Sequence, residues 1–178
     1  HLVLIGRVVD FVSGEGAPLG YYRGRYFSVE ADAQLVQAVA ATAGASVGAV
    51  LLQDGAVLME VASDGGLTLP LSPHPNPSID RLRHRLADVG LHADVEFLYA
   101  VFEDRAKASH GIYYHGQVQG PAPKGMAFCP LTSLDWAAMR NPAERSMLQR
   151  YASETESGEF GIYQGNETEG KVRRLSGA

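Results

Sequence analysis

Arg81, His84, Arg85 and Asp88 recur at intervals of three or four, the spacing that places side chains on one side of a helix. Two guanidinium groups on such a face can hold a phosphate-bearing ligand directly, because their planar donor forks match oxyanions without a metal. The same four residues also suit a solvated helix surface with a one-turn contact between His84 and Asp88. A second candidate lies in Gly111 to Gln119, where period-two alternation puts Tyr113, His115 and Gln117 on one face and His110, Ile112, Tyr114 and Val118 on the other. His110 and His115 thus point in opposite directions and do not make a two-histidine metal pair. That leaves His115 as a pocket residue or an ordinary polar strand position.

The rest of the composition restricts what such residues can serve. With 178 residues, 46% of them hydrophobic, the chain can bury a sizeable core. A formal charge of −5 with no long basic run, Arg81, Arg83, His84 and Arg85 being a short locally basic stretch, argues against a nucleic-acid partner, since phosphate neutralisation needs clustered cations. No apolar run approaches the roughly 20 residues of a membrane helix. The one cysteine, Cys129, cannot form an internal disulfide and reads as a small buried residue. A soluble, cytoplasmic protein is expected. The start at His1, directly in an apolar strand pattern, suggests a piece of a longer polypeptide.

The elements that must position these side chains follow from pattern and punctuation. Residues 1 to 11 read as a strand, and the aromatic run from Leu19 to Phe27 as its returning partner. Residues 29 to 43 read as an alanine-rich helix. Val47 to Leu52 and Val57 to Val61 flank Asp54-Gly55, a strong hairpin turn. After Leu69-Pro70 and a proline-rich loop, Asn76 or Ser78 caps a helix with Pro77 in its first turn, Ile79, Leu82, Leu86 and Val89 as its apolar stripe and Gly90 as its stop. Residues 93 to 105 and 111 to 119 are strands. A further strand enters the Pro130-Leu131 turn before Trp136, read as a core or hinge aromatic. Asn141 then caps a last helix with Pro142 at its first position and Met147, Leu148 and Tyr151 on its buried side. Residues 159 to 165 form a short strand able to cover an edge or reach a neighbouring subunit, as in a homodimer.

Two family resemblances are carried by these segments. His1-x4-Gly6-Arg7-Val8-Val9 followed by Pro18-Leu19-Gly20-Tyr21-Tyr22-Arg23-Gly24-Arg25-Tyr26 resembles the last strands of flavin reductases with the FMN-binding split-barrel fold. The resemblance implies that His1, Arg23 and Tyr26 lie near a flavin and nicotinamide site. It also implies that the parent protein uses FMN or FAD with NAD(P)H, often for a monooxygenase component, whereas this chain alone holds no cofactor. From Val47 onward, the order of elements resembles the Nudix fold, whose box reads Gly-x5-Glu-x7-Arg-Glu-U-x-Glu-Glu-x-Gly-U, with U apolar. Arg83 takes the arginine, His84 the first glutamate, Arg85 the apolar position, Ala87 and Asp88 the glutamate pair, Gly90 the glycine and Leu91 the last apolar position, while Pro75 falls on the loop glutamate.

The fold class expected from this is α/β (α+β): a Nudix-like mixed sheet with flanking helices over residues 46–178, a helical linker over 29–45 and a split-barrel hairpin over 1–28. Magnesium requires hard oxygen ligands, and His84 and Ala87 stand where carboxylates belong. The expected function is therefore a hydrolytically degenerate domain that recognises a small nucleotide-like ligand or mediates assembly within a flavin reductase. The alternative is a divergent Nudix hydrolase acting on a nucleoside diphosphate derivative such as ADP-ribose or NADH, with Asp88 assisted by Glu60, Glu96, Glu103 or Asp104. On the anion-binding reading, Arg81→Ala or Arg85→Ala weakens nucleotide binding and leaves thermal stability little changed. Titration of both variants checks this, and unaltered binding in both favours the solvated surface.

Overall fold

A computed structural model describes residues 19–22, 25–28, 45–74, 77–104, 109–157, 161–166 and 170–174. Its core element is β3 (Ser46–Gln53), which pairs in parallel with β7 (Ser109–Gln119) from Ser46↔Gly111 to Leu52↔Gln117. A strand is buried on both faces only when something covers each. Here α1 (Ile79–Asp88) covers one side, where Ala49, Leu51 and Leu58 meet Leu82, Leu86 and Leu91. The second helix, α2 (Pro142–Ser157), lies with the other cluster, in which Val50, Leu52, Val57 and Met59 join Met147, Leu148 and Tyr151. Val47 to Leu52 are accordingly buried without a break, which explains the unalternating apolar run.

Among the described residues the mixed sheet has eight strands. Beyond β3 lie β4 (Ala56–Val61) and β5 (Leu67–Thr68), with β8 (Met126–Pro130) also on β4; beyond β7 lie β6 (His92–Asp104), β9 (Gly161–Gly165) and β10 (Gly170–Arg174). The β3–β4 turn uses Asp54 and Gly55 at φ 51° and 80°, the left-handed pair that a two-residue hairpin of this twist requires. Only Leu52↔Val57 and Gln53↔Ala56 pair across it. The strands then part, and Leu69 to Ser72 enters beside β3: Ala49 donates to the Pro70 carbonyl at 3.2 Å and Ser72 donates to the Val47 carbonyl at 2.7 Å.

Helix α1 begins where Ser78 accepts a hydrogen bond from the Arg81 amide at 3.2 Å. Pro77 lies outside the helix, before the cap, and not in its first turn. At the other end Leu91 donates to Leu86 and Gly90 to Ala87 at 2.9 Å each, with Gly90 at φ 84°, a Schellman closure. Leu82 and Leu86 are buried, each contributing about 1.5–3 kcal/mol by apolar burial. Val89, expected in the stripe, is 47% exposed because the helix ends before it, and Leu91 occupies the core instead. Helix α2 starts as its sequence implies: the Asn141 side chain accepts from the Ala143 amide at 3.0 Å.

Two other expectations change. The residues 19 to 27 are not one strand but a hairpin, β1 (Leu19–Tyr22) paired with β2 (Arg25–Ser28). The tail holds two strands, not one; β9 runs parallel to β6 and covers its edge, and β10 extends the sheet further. The expected strand at 1–11 and helix at 29–43 lie outside the described residues. No helix among the described residues is long and apolar enough to cross a membrane.

Gly48 is set by space and not by its dihedral angles. A Cβ there would sit 2.8 Å from both the Leu71 Cδ2 and the Tyr113 Cε1. Gly48→Ala should cost about 1–3 kcal/mol through overpacking, measured as a lower urea midpoint with an unchanged slope.

Candidate ligand-binding site

The polar side of α1 is occupied unevenly. Arg85, at the box position that is normally apolar, is half-buried and donates to the Glu60 carboxylate of β4 at 2.5 Å. Arg81 is half-buried and engaged in a contact, whereas His84 and Asp88 are exposed. Arg83 reaches Asp80 at 3.3 Å and the Val95 carbonyl at 3.4 Å. The acids considered for a divergent hydrolase are dispersed: Glu60 is on Arg85, Glu96 is on His115 and Glu103 is exposed on β6. Asp104 ends that strand. Among the described residues no three His, Cys, Asp or Glu side chains converge as a metal site.

His115 sits inside the core, 2% exposed. Its Nδ1 lies 2.8 Å from Glu96 and its Nε2 2.8 Å from the Tyr151 hydroxyl, while its ring makes stacked contacts with Phe97 and with Tyr151. It fastens α2 to the sheet. Lower on α2, Arg150 lies over the Tyr99 and Tyr163 rings at 4.5 and 5.1 Å and bonds Glu154 at 2.8 Å. Glu154 also accepts from the Tyr99 phenol at 2.9 Å; burial raises the pKa of both groups. Burial likewise raises that of the Cys129 thiol, which packs against the core from β8. Trp136 is partly buried against the same core. His1 and Arg23 lie outside the described residues; Tyr26 is on β2, paired with Tyr21.

A concavity among the described residues lies elsewhere, between the Leu69–His74 segment, the start of β7 and the N-terminus of α2. Its volume is about 510 Å³, and its lining includes Ser46, Thr68, His74, Tyr113, Arg140 and Glu144. Neither the box-helix candidates nor His115 line it. Its floor is built on a buried carboxylate. Glu144, 2% exposed, accepts from the Leu69 amide at 3.0 Å and from the Tyr113 hydroxyl at 2.8 Å, with the Asn141 amide nitrogen at 3.5 Å. Tyr113 lies close over Gly48 and Gly111, where side chains would collide with it, and stacks on Phe102 with ring centroids 5.2 Å apart and planes 11° apart.

At the rim, Arg140 bonds Asp64, and Asp64 accepts from the Gly66 amide at 3.1 Å. Those two bonds, the amide first, hold the Asp64 carboxyl below its ordinary pKa. This site was not singled out by sequence, although a signal for part of it was present: Asn141-Pro-Ala-Glu144 has capping-box spacing. Glu144 instead turns inward to a backbone amide 75 residues away in sequence, which no local pattern announces.

No family model matches the chain. It is 33% identical over 178 residues to a Rhizobium meliloti (strain 1021) protein named "Probable flavin reductase", covering 99% of this chain and 56% of the relative. It is 29% identical over 177 residues to the reductase component of the flavin-dependent trigonelline monooxygenase of Acinetobacter baylyi, covering 98% and 56%. The chain thus spans about half the length of the curated relatives it matches. Its fold is similar to the crystal structure of a NUDIX hydrolase from Nitrosomonas europaea, with TM-score 0.61, 15% identity, 86% of this chain and 94% of that one covered. The architecture is therefore Nudix-like, and the sequence relationship is to flavin reductases.

The geometry around Glu144 makes a stability prediction. Glu144→Ala strands the Leu69 amide and the Tyr113 hydroxyl, and should cost about 2–5 kcal/mol from two buried groups left unpaired. Tyr113→Phe removes one bond and should cost about 1 kcal/mol. Urea unfolding of both variants checks the ranking.

Proposed function

We propose that this chain is the C-terminal part of a longer flavin reductase, carrying a Nudix-like domain that binds a small ligand and does not hydrolyse it. The observation that carries this reading is similarity to flavin reductases along essentially the whole chain, combined with a box helix whose sequence has lost its carboxylates. The domain division follows: a hairpin over 1–28 completing a split barrel, a linker over 29–45 and the ligand-binding domain over 46–178. In the parent protein FMN or FAD and NAD(P)H carry the electrons, with His1, Arg23 and Tyr26 near them, and a monooxygenase component receives the reduced flavin. The ligand, nucleotide-like or another small molecule, biases flavin reduction through the state of the domain, as any ligand can that binds two states unequally.

The box chemistry supports binding over turnover. A diphosphate hydrolase needs metal-held charge at the scissile bond. Here Asp88 is the one acid left at the box positions aligned above, and Arg85 is committed to Glu60.

Two assays decide the matter. NADH oxidation with added FMN, measured on this chain and on the longer polypeptide, should show turnover only in the latter. ADP-ribose and NADH incubated with this chain and magnesium should release no phosphate-bearing product. Magnesium-dependent release would overturn the binding reading in favour of a divergent hydrolase.

A further inference from the structure

We propose that the cleft bounded by Leu71, Tyr113 and Arg140 binds a flat aromatic monocarboxylate, with Arg140 taking the carboxylate and the ring lying by the Phe102–Tyr113 stack. This deepens the reading of the domain as a ligand-binding module and rests on it. At about 510 Å³ the cleft suits a small organic molecule, since such sites run from roughly 300 to 1,000 Å³.

Arg140 is held ready for an anion. Gly66 leaves no room for a side chain beneath the guanidinium, and Asp64 bonds one of its nitrogens while being fixed by the Gly66 amide. Among the described residues Asp64 is the one side-chain partner of that guanidinium, and both groups are at least half exposed. A guanidinium has five N–H donors, so a ligand carboxylate can engage the remainder without breaking the existing pair. Arg140 lines the cleft while its partner Asp64 does not.

Charge selects a monoanion. Asp64 is bonded to Arg140 and Glu144 lines the same cleft, and among the described lining residues one guanidinium and the His74 imidazole stand against them, with no lysine. A dianionic phosphate would meet more repulsion than one guanidinium offsets. The aromatic part follows from the wall: Phe102 and Tyr113 are parallel to within 11°, and a planar ring packs by offset stacking or edge contact with such a pair. Ser46, Thr68 and Ser109 are also among the lining residues, and hydroxyl-bearing side chains of this kind suit polar ring substituents.

The test uses benzoate and benzamide, which share a ring and differ in charge, titrated calorimetrically into the full chain. Benzoate should bind at least tenfold more tightly than benzamide. Arg140→Gln should erase that difference, while Arg83→Gln, on the surface of α1, should retain it; circular dichroism melts establish that each variant is folded. Should Arg140→Gln fail to fold, Ser109→Leu, which narrows the cleft, should lower benzoate affinity at least tenfold. Equal binding of the two probes, a benzoate preference that survives Arg140→Gln, or unaltered affinity in Ser109→Leu overturns the proposal. Binding of AMP but not benzoate overturns it while leaving the ligand-binding reading in place; binding of neither removes the proposal and counts against the module itself.

Discussion

One backbone amide organises the part of the sheet that borders the cleft. When β4 parts from β3 after two residue pairs, the chain returning through Leu69 and Pro70 enters the gap beside β3, and the Leu69 amide faces the interior without a strand carbonyl. A buried donor left unpaired costs about 1–3 kcal/mol. Glu144 meets it from α2, and a carboxylate brought that deep needs further donors, which Tyr113 and Asn141 provide. The tyrosine can reach only because Gly48 and Gly111 leave the sheet surface bare beneath its ring. Sheet divergence, two glycines, a tyrosine and a helix N-terminus are thus parts of one solution, and the cleft is the space left beside it.

The box helix shows a different relation between scaffold and chemistry. Its capping by Ser78, its Schellman closure at Gly90 and its buried Leu82 and Leu86 are independent of what its polar side carries. Those features fix where the helix sits; the carboxylates of a hydrolase fix only what it does. Arg85 at a position otherwise apolar, bonded to Glu60, converts part of that side into a link between helix and sheet. Half-exposed ion pairs contribute about 0–1 kcal/mol, so the link has more bearing on what the side chains are free to do than on stability.

What was legible in the sequence was what local rules determine. The Asp54-Gly55 turn, the cap at Asn141, the stop at Gly90 and the doubly buried run of β3 all follow from residue type and spacing, which also narrow the cap of α1 to Asn76 or Ser78, with Ser78 taking it in the structure. A local pattern misleads where it competes with a longer-range one. Val89 continues the apolar period but falls beyond the last helical turn, and the aromatic run at 19 to 27 hides a turn at its centre. Strand alternation puts His115 on the face of Tyr113, yet its burial beside Glu96 and Tyr151 depends on residues 19 and 36 positions away. The cleft is harder still, because Arg140, Asp64 and Glu144 acquire meaning only through pairings across the fold.

Helix α2 connects these observations. Three polar anchors hold it along its length: Glu144 to Leu69 and Tyr113, Tyr151 to His115, and Glu154 with Arg150 to Tyr99. Each satisfies a group that would otherwise be buried unpaired, so sliding the helix along the sheet would break them together instead of one at a time. A wall secured this way keeps Asn141 and Glu144 in place before any ligand arrives, and preorganised groups lose less entropy on binding than mobile ones. Arg140, immediately before the cap, is set by Asp64 and Gly66 of the turn after β4. Its guanidinium therefore joins the N-terminal end of α2, which Glu144 anchors to Leu69 and Tyr113, to the exposed turn after β4.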